Sequence, residues 1–318
     1  KERKINFPQN DIIDLIKDDK KTLGFQDKLI EKNGKGFPGI IAEVKKASPS
    51  KGIIKQNFNH IDIARDYETG NAACISVLTD FPSFQGKLEF LKDIRDNVNL
   101  PLLRKDFMID PYQVYEAKLY GADCILIIMK MVEQDKANEI YKTAKKINMD
   151  VIFEINNESE LNNALDLEPK IIGINNRDLR TFKTDINNSI ILSKKIDKEI
   201  TLISESGISK REDIELLVEN NIKNFLIGES IMKSSNIINE LELQINKKCA
   251  NVLLAAIYTD TGQFRHANNE TFGSASILCE NGAEPQEVIT LLDSERPVTQ
   301  KVTFLKAAQN MKWIQEGK

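Results

Sequence analysis

Two short runs of the sequence place charged side chains next to apolar ones in a pattern that suits a binding site. In IAEVKKASPSKG, Glu43 and Lys45 are two positions apart, so in a β-strand both side chains point to the same face. A second run, LPLLRKDFMIDP, places Lys105 and Asp106 at the end of a predicted strand. A buried charge is costly unless it is paired, so these side chains pair with each other or hold a charged ligand. We interpret them as part of a site for a charged molecule; a structural ion pair is the alternative.

Polar residues also follow the later apolar runs. Glu154 lies near the end of DVIFEI, Asn175 and Arg177 lie in INNRDL, and Glu205 and Ser206 lie in ISESG. Lysine is a candidate proton donor because its pKa responds to burial and neighbours, and glutamate is a candidate base. These residue types therefore indicate acid–base chemistry at the ends of several strands.

Two turns near residues 207 and 228 could bind a phosphate. ISESGI and FLIGES both lead into helical stretches, where the backbone N–H groups of Gly207, Gly228 and Glu229 are available to an anion. Either turn alone is ordinary. Two of them in the last two strand–helix units match the phosphate site of eight-stranded barrels.

The elements that must position these residues are short apolar strands alternating with amphipathic helices. The predicted strands are residues 39–44, 73–78, 100–104, 123–128, 150–155, 170–175, 200–205 and 224–229. Eight such units favour an α/β fold of the (β/α)8 TIM barrel type, preceded by an extra helix around 11–20. An open doubly wound sheet usually has fewer strands and a glycine-rich turn after the first. Predicted helix starts include Pro111 before Tyr112, and a capping box formed by Ser209 and Glu212.

Composition excludes several classes of function. The chain has 318 residues, 41% of them hydrophobic, with 44 lysines and arginines against 48 acidic residues. That acidic balance argues against nucleic acid as the main partner. The cysteines and histidines are too scattered for a zinc site or a disulfide framework. They are Cys74, Cys124, Cys249, Cys279, His60 and His266. Because no apolar run approaches the ~18 residues of a membrane span, we expect a cytoplasmic protein without membrane contact.

Six runs of the chain resemble the indole-3-glycerol phosphate synthase family over about residues 10–245. They are IAEVKKASPSKG, LLRKDFMIDPYQ, GADCILII, IGINNRDL, ISESGI and FLIGESIM. The resemblance implies a TIM barrel that converts 1-(o-carboxyphenylamino)-1-deoxyribulose 5-phosphate into indole-3-glycerol phosphate, carbon dioxide and water. It implies no metal and no organic cofactor. The implied partner is a phosphorylated small molecule, and a monomer is favoured.

The resemblance also assigns catalytic roles to matching positions. Lys105 is implied to be the general acid at the substrate carbonyl, and Glu154 the general base of the final dehydration. Glu43, Lys45 and Asn175 are implied to orient the substrate, with Lys45 also meeting the departing carboxylate. The sequence leaves open which lysine donates the proton.

The remaining implied residues surround the substrate. Glu205 and Ser206 complete the polar rim, and Phe84 and Phe107 flank the aromatic ring. The implied phosphate-binding set is Ser48, Arg177, Gly207, Gly228 and Glu229. The leading helical segment is shorter than the family's, which we expect to affect substrate affinity.

A related enzyme family is a weaker alternative. Phosphoribosylanthranilate isomerase is also a phosphate-binding barrel, but that family has a catalytic cysteine at the end of the first strand. Here the first strand carries Glu43 and Lys45 instead.

The composition changes after about residue 248, where isoleucine and lysine become rarer. We predict a barrel over residues 1–248 and a small α/β appendage over residues 249–318. NVLLAAIYTDTGQFRHAN and GSASILCENGAEPQEVITLL resemble an internal part of the DHH phosphoesterases, in which Asp260 would be a metal ligand. The DHH triplet itself is absent, so we expect an inactive fragment, with His266 at the surface. A metal-dependent phosphodiesterase or a docking role for this tail is the alternative.

We expect the chain to release no mononucleotide from a short oligonucleotide in the presence of Mn²⁺, since one carboxylate does not hold two metal ions. The measurement is product release against a buffer blank, with Asp260→Asn as the matched variant. Turnover that the variant abolishes would contradict the prediction and would assign chemistry to the tail.

Overall fold

The chain forms two compact units, Lys1–Glu242 and Leu243–Lys318. A computed structural model describes residues 2–17, 22–49, 51–178, 181, 183–233, 251, 254–255, 257–259, 261–280 and 283–292. The predicted boundary after residue 248 lies outside the described residues.

In chain order the strands of the first unit are β1 (Gly39–Val44), β2 (Ala47–Ser48), β3 (Gly52–Ile53), β4 (Cys74–Leu78), β5 (Leu102–Lys105), β6 (Cys124–Ile128), β7 (Asp150–Ile155), β8 (Ile171–Asn175), β9 (Thr201–Glu205) and β10 (Asn224–Ile227). Eight of them form a closed parallel barrel in the order β1-β10-β9-β8-β7-β6-β5-β4. The barrel closes at β1, where Ile41 lies opposite both Cys74 and Leu226. β2 and β3 form a separate antiparallel pair in the loop after β1.

Helices precede the first barrel strand, lie between the strands and follow the last one, as in a (β/α)8 barrel. They are α1 (Glu2–Asn6), α2 (Gln9–Ile16), α3 (Phe25–Gly34), α4 (His60–Thr69), α5 (Phe81–Phe84), α6 (Glu89–Arg95), α7 (Tyr112–Leu119), α8 (Gln134–Lys146), α9 (Glu158–Leu165), α10 (Asn187–Ser193), α11 (Arg211–Glu219) and α12 (Glu229–Lys233). Asparagine side chains begin two of them: Asn59 accepts from the backbone of α4 and Asn157 from that of α9. None of the described helices is long and apolar enough to cross a membrane.

All eight predicted strands are confirmed, with ends that differ by at most two residues. The strand predicted at 224–229 stops at Ile227 because the next two residues turn into α12. The predicted helix 11–20 is observed as α2, and residues 18–20 lie outside the described residues.

The predicted capping box at α11 is wrong in its residues. Lys210 is the N-cap, and Asp213, not Glu212, accepts from the backbone N–H groups of Ser209 and Lys210, at 3.0 and 3.1 Å. The reason is that the helix begins one residue later than predicted, which moves the accepting side chain from position 212 to 213. Pro111 lies directly before Tyr112 at the start of α7, as expected.

Two apolar layers hold the barrel together. One lies between the strands and the surrounding helices, and includes Val77 and Ile125. The other fills the interior, where Leu103 and Ile152 pack with residues of neighbouring strands. α3 closes the amino-terminal end of the barrel, since its Phe25 belongs to this interior cluster. The strands are therefore buried on both faces, as their apolar sequences predict.

The described residues of the second unit form helices and turns and contain no strand, although the sequence predicted a mixed α/β appendage. Two of the helices, Asn269–Glu280 and Pro285–Leu292, bury Ala275, Leu278 and Val288 in one apolar cluster. His266 is exposed, as expected. Asp260 and Cys249 lie outside the described residues, as does Trp313. Within the described ranges, no group of three or more histidine, cysteine or acidic residues is arranged to hold a metal ion.

We expect Asp123→Asn to lower the free energy of unfolding by about 3 kcal/mol, because it removes a buried carboxylate that neutralises the partly buried Arg95. Asp123 lies before β6, pairs with Arg95, and accepts from the backbone of Leu23 and Leu102 at 2.7 and 2.8 Å. Urea unfolding measures the change. The exposed pair of Lys92 with Asp96 supplies a control, and Asp96→Asn is expected to cost less than about 1 kcal/mol. Equal losses in the two variants would contradict this account.

Candidate active site

Five predicted polar residues lie at the carboxyl ends of five barrel strands. They are Glu43 on β1, Lys105 on β5, Glu154 on β7, Asn175 on β8 and Glu205 on β9. Parallel strands of a barrel end at one rim, so residues far apart in sequence meet there. This end of the barrel is the candidate active site.

Lys105 is the centre of the site. Its Nζ lies 3.0 Å from Glu154 Oε2 and 2.5 Å from Glu205 Oε2. The lysine side chain is 14% exposed and that of Glu205 only 2%. The structure therefore brings together a predicted acid and a predicted base, and adds a second carboxylate to the same ammonium group.

A chain of hydrogen bonds continues from Glu154 along the rim. Its Oε1 accepts from Asn175 Nδ2 at 2.9 Å, and Asn175 Oδ1 accepts from the backbone N–H of Arg177 at 2.9 Å. Both carboxylate oxygens of Glu154 are thereby engaged. The loop after β8 is tied to the same network, because Asn156 Nδ2 donates to the carbonyls of Asn175 and Arg177.

Glu43 and Lys45 form a short ion pair on the same side of the chain, as their spacing predicts. The backbone of Glu43 is held in place by Tyr67, a fully buried residue whose hydroxyl donates to the Glu43 carbonyl at 2.8 Å. The sequence analysis gave an ion pair of Glu43 with Lys45 as the alternative to ligand binding. This ion pair is present in the structure, and it lies at the rim where a ligand would enter.

The charges perturb the titration of Lys105 and Glu205. Burial alone lowers the pKa of Lys105, but the carboxylates of Glu154, Glu205 and Glu43 outweigh burial and raise it above its ordinary value. Burial raises the pKa of Glu205 to about 7; Glu154 and Glu43 add to this rise, while Lys105 opposes it. Lys105 therefore carries its proton at neutral pH, and Glu205 titrates in the physiological range.

Two glycines make room for carboxylates inside the barrel. A Cβ at Gly173 would collide with Glu205 Oε1, and a Cβ at Gly228 would collide with Glu43 Oε1. Glu205 Oε1 is buried and, in the part of the chain that the structure describes, has no hydrogen-bond partner. This oxygen packs against the backbone at Gly173.

The predicted phosphate residues lie in the loops at the same end. Ser206 and Gly207 follow β9 with φ of 67° and 77°, so the chain turns sharply in the left-handed region there. Arg177 is half-buried and its backbone bridges to Thr184, while Gly228 and Glu229 lie where β10 passes into α12.

The remaining predicted residues lie in three further loops at the same rim. Ser48 belongs to β2, in the loop after β1. Phe84 ends α5 after β4, and Phe107 follows β5 and packs against the interior cluster. All three are half-buried. Their roles toward a substrate stay predictions.

The sequence analysis did not identify several residues that contact the site residues or adjoin them in the chain. Gly173 and Asn156 bring no charge, so nothing in the sequence marked them. Arg104, which precedes Lys105, did carry a signal: it interrupts the apolar run PLLRK with a charge that the fold buries to 2% exposure.

Fold and site together indicate a barrel enzyme with paired ionisable side chains at the carboxyl ends of its strands. A family model described as Indole-3-glycerol phosphate synthase matches residues 1–243. The chain belongs to this family.

Similar curated proteins carry the same description. An indole-3-glycerol phosphate synthase of Zymomonas mobilis subsp. pomaceae is 43% identical over 236 residues, covering 74% of this chain and 89% of its own length. One from Acinetobacter baylyi is 46% identical, covering 70% and 82%. One from Polynucleobacter asymbioticus is 45% identical, covering 67% and 80%. A crystal structure of KGPDC from Streptococcus mutans has a TM-score of 0.51 at 14% identity, covering 64% of this chain and 94% of that one, and supports the fold alone.

We expect Glu205 to make the protein less stable as the pH rises from about 4.5 to about 7. In this window the folded state still binds a proton that the unfolded chain has released, so the contribution of Glu205 to stability falls with rising pH. Glu205→Gln removes the titration. The free energy of unfolding of the variant, relative to wild type, is therefore expected to increase between about pH 5 and about pH 8 in urea titrations. A constant or decreasing difference would show that the Glu205 pKa is not raised.

Proposed function

We propose that this chain catalyses the ring closure and decarboxylation of 1-(o-carboxyphenylamino)-1-deoxyribulose 5-phosphate to indole-3-glycerol phosphate. The observation that carries the proposal is the Lys105 ammonium group held between Glu154 and Glu205. The reaction needs a proton donor at a carbonyl and a base for a later step. A charged lysine next to a carboxylate supplies both.

In the first step Lys105 donates a proton to the substrate carbonyl oxygen while the carboxylate-bearing ring carbon attacks the carbonyl carbon. One carbon–carbon bond forms and the carbonyl becomes a hydroxyl. The ring then loses its carboxylate as carbon dioxide, and the electron pair of that broken bond restores the aromatic ring. Lys45, paired with Glu43, is the cation proposed to face this carboxylate.

In the last step the new hydroxyl takes up a proton from solvent and leaves as water, while a second proton is removed from the adjacent carbon. Glu154 is the proposed base. Its Oε1 is held by Asn175 at 2.9 Å, so its orientation is fixed before the substrate arrives. Lys105, on the other oxygen of Glu154, is close enough to recover a proton. Asn175 thus orients the base, and Ser206 and Glu205 complete the rim.

The substrate carries a phosphate and a carboxylate, so an acidic protein needs local cations to bind it. Lys45, Lys105 and Arg177 are the proposed cations. The phosphate is proposed to bind Ser48, Arg177 and the backbone at Gly207, Gly228 and Glu229. Phe84 and Phe107 are proposed to flank the aromatic ring, where stacking favours a planar group.

The proposal extends to the setting of the enzyme. A highly charged substrate crosses membranes poorly, so we place the reaction in the cytoplasm, where phosphorylated intermediates are made. The working unit is proposed to be a monomer, because the residues of the site come from one barrel. The tail over 249–318 is proposed to be an inactive appendage similar to part of a DHH phosphoesterase.

We expect wild-type protein to form the fluorescent indole product, and Lys105→Ala to lower kcat by about 10³-fold, the scale of general acid catalysis. Lys92→Ala is the matched control, since that lysine is exposed on α6 and pairs only with Asp96 among the described residues. Trp313 gives a constant fluorescence background.

Wild-type rates in both lysine variants would contradict the role of Lys105. A folded wild-type protein without turnover would contradict the proposed reaction.

A further inference from the structure

Arg104 is a buried arginine directly next to Lys105 in β5. Side chains alternate along a strand, so Leu103 and Lys105 point into the barrel and Arg104 points outward, toward α7. Its neighbours across the sheet are Val77 on β4 and Ile125 on β6, both in the outer apolar layer. Arg104 is therefore a charged side chain in an otherwise apolar layer.

The guanidinium group of Arg104 is bound on all sides. Nη2 donates to Asp106 Oδ2 at 2.9 Å, and Nε donates to Thr79 Oγ1 at 3.2 Å. Nη1 donates to Glu116 Oε2 at 2.9 Å and to the carbonyl of Gln113 at 3.1 Å. Thr79 directly follows β4, Asp106 directly follows β5, and Gln113 and Glu116 lie on α7, so one side chain joins two strand ends to a helix.

Asp106 completes the arrangement on the other side of Lys105. Its Oδ2 also accepts from Thr79 Oγ1 at 2.6 Å, and its Oδ1 accepts from the backbone N–H of Phe107 at 2.8 Å. The backbone N–H of Thr79 donates to the carbonyl of Lys105 at 3.2 Å. The side chains on both sides of Lys105 are thus joined on the outer face of the strand, and the carbonyl of Lys105 itself is held by Thr79, the residue after β4.

Burying an ion pair in place of apolar side chains adds little stability, because desolvation of the charges offsets their attraction. An apolar residue at 104 would pack against the outer layer as Val77 and Ile125 do. Stability alone therefore does not account for this cluster, whereas geometry does: the misplacement of a reacting group by ~1 Å costs about 10²-fold in rate.

We propose that Arg104, Asp106 and Thr79 are positioning residues that clamp the backbone of Lys105, so that its ammonium group stays between Glu154 and Glu205. The proposal rests on the proposed function of Lys105 as the proton donor. The clamp contacts neither substrate nor the reacting atoms; it acts through Lys105.

The molecule contains a matched control at the other end of the same strand. Arg95 and Asp123 form a second arginine–aspartate pair, with Asp123 buried and Arg95 partly buried, and Asp123 accepts from the backbone of Leu102, the first residue of β5. Both pairs therefore fix the backbone of β5, but only the Arg104–Asp106 pair adjoins Lys105. A purely structural role predicts the same effects from both pairs.

The experiment compares Asp106→Asn with Asp123→Asn, in the full chain and at a temperature where both are folded. We expect Asp106→Asn to lower kcat by about 10- to 100-fold with KM changed less than about 3-fold, and Asp123→Asn to change kcat less than about 2-fold. In a Lys105→Ala background, Asp106→Asn is expected to cause no further loss, because the clamp acts through that lysine. Equal effects of the two aspartate variants on kcat, or an undiminished effect of Asp106→Asn without Lys105, would overturn the proposal.

A second measurement does not depend on turnover. The side-chain NMR resonance of Lys105, assigned by its loss in Lys105→Ala, is expected to shift in Asp106→Asn and to stay unchanged in Asp123→Asn. The shift of this resonance tests the clamp even if wild-type protein forms no indole product. Absence of product would contradict the proposed function and not the clamp. An unshifted resonance would overturn the clamp.

A third variant replaces Asp106→Asn if that protein does not fold. Thr79→Val removes the hydroxyl that joins Arg104 and Asp106 and leaves both charges in place. It is expected to shift the same resonance and to lower kcat by about 3- to 10-fold. A wild-type resonance and kcat in this variant would overturn the proposal.

Discussion

The contact of one ammonium group with two carboxylates depends on the closure of the whole barrel. Lys105 lies on β5, Glu154 on β7 and Glu205 on β9, which are alternate strands of the closed sheet. In a barrel of eight strands, side chains from alternate strands form one interior layer, so these three residues meet at one level. No two of these strands are hydrogen-bonded to each other. The interaction therefore exists only when the strands between them are correctly paired.

The same interaction explains features of the interior that an apolar core would not need. Charges inside a barrel require partners and space, and here the lysine supplies the partner while Gly173 leaves space for the Glu205 carboxylate. One oxygen of Glu205 remains without a hydrogen bond in the described structure, and the pKa of that residue is raised to about 7. These costs are tolerated because the two apolar layers on either side of the strands stabilise the barrel.

Sequence periodicity was enough to predict the barrel and the strand ends, since each strand is a short apolar run buried on both faces. It also predicted that Glu43 and Lys45 share a face, because alternation along a strand is a local property. It did not predict that Lys105 contacts Glu205, which lies 100 residues away, because that contact depends on barrel closure. The outward clamp of Arg104 was missed for a related reason: its partners lie at two strand ends and on a helix.

The central claim is that Lys105 is held as a charged acid by its two carboxylates, and nitrogen NMR of its side chain across a pH titration tests it most directly. The resonance is identified by its absence in Lys105→Ala. The account predicts that Lys105 keeps its proton beyond the pH at which exposed lysines lose theirs, about 10.4, and that Glu205→Gln brings the midpoint down. A midpoint at or below that of the exposed lysines would contradict the account, because the carboxylates would then not outweigh burial.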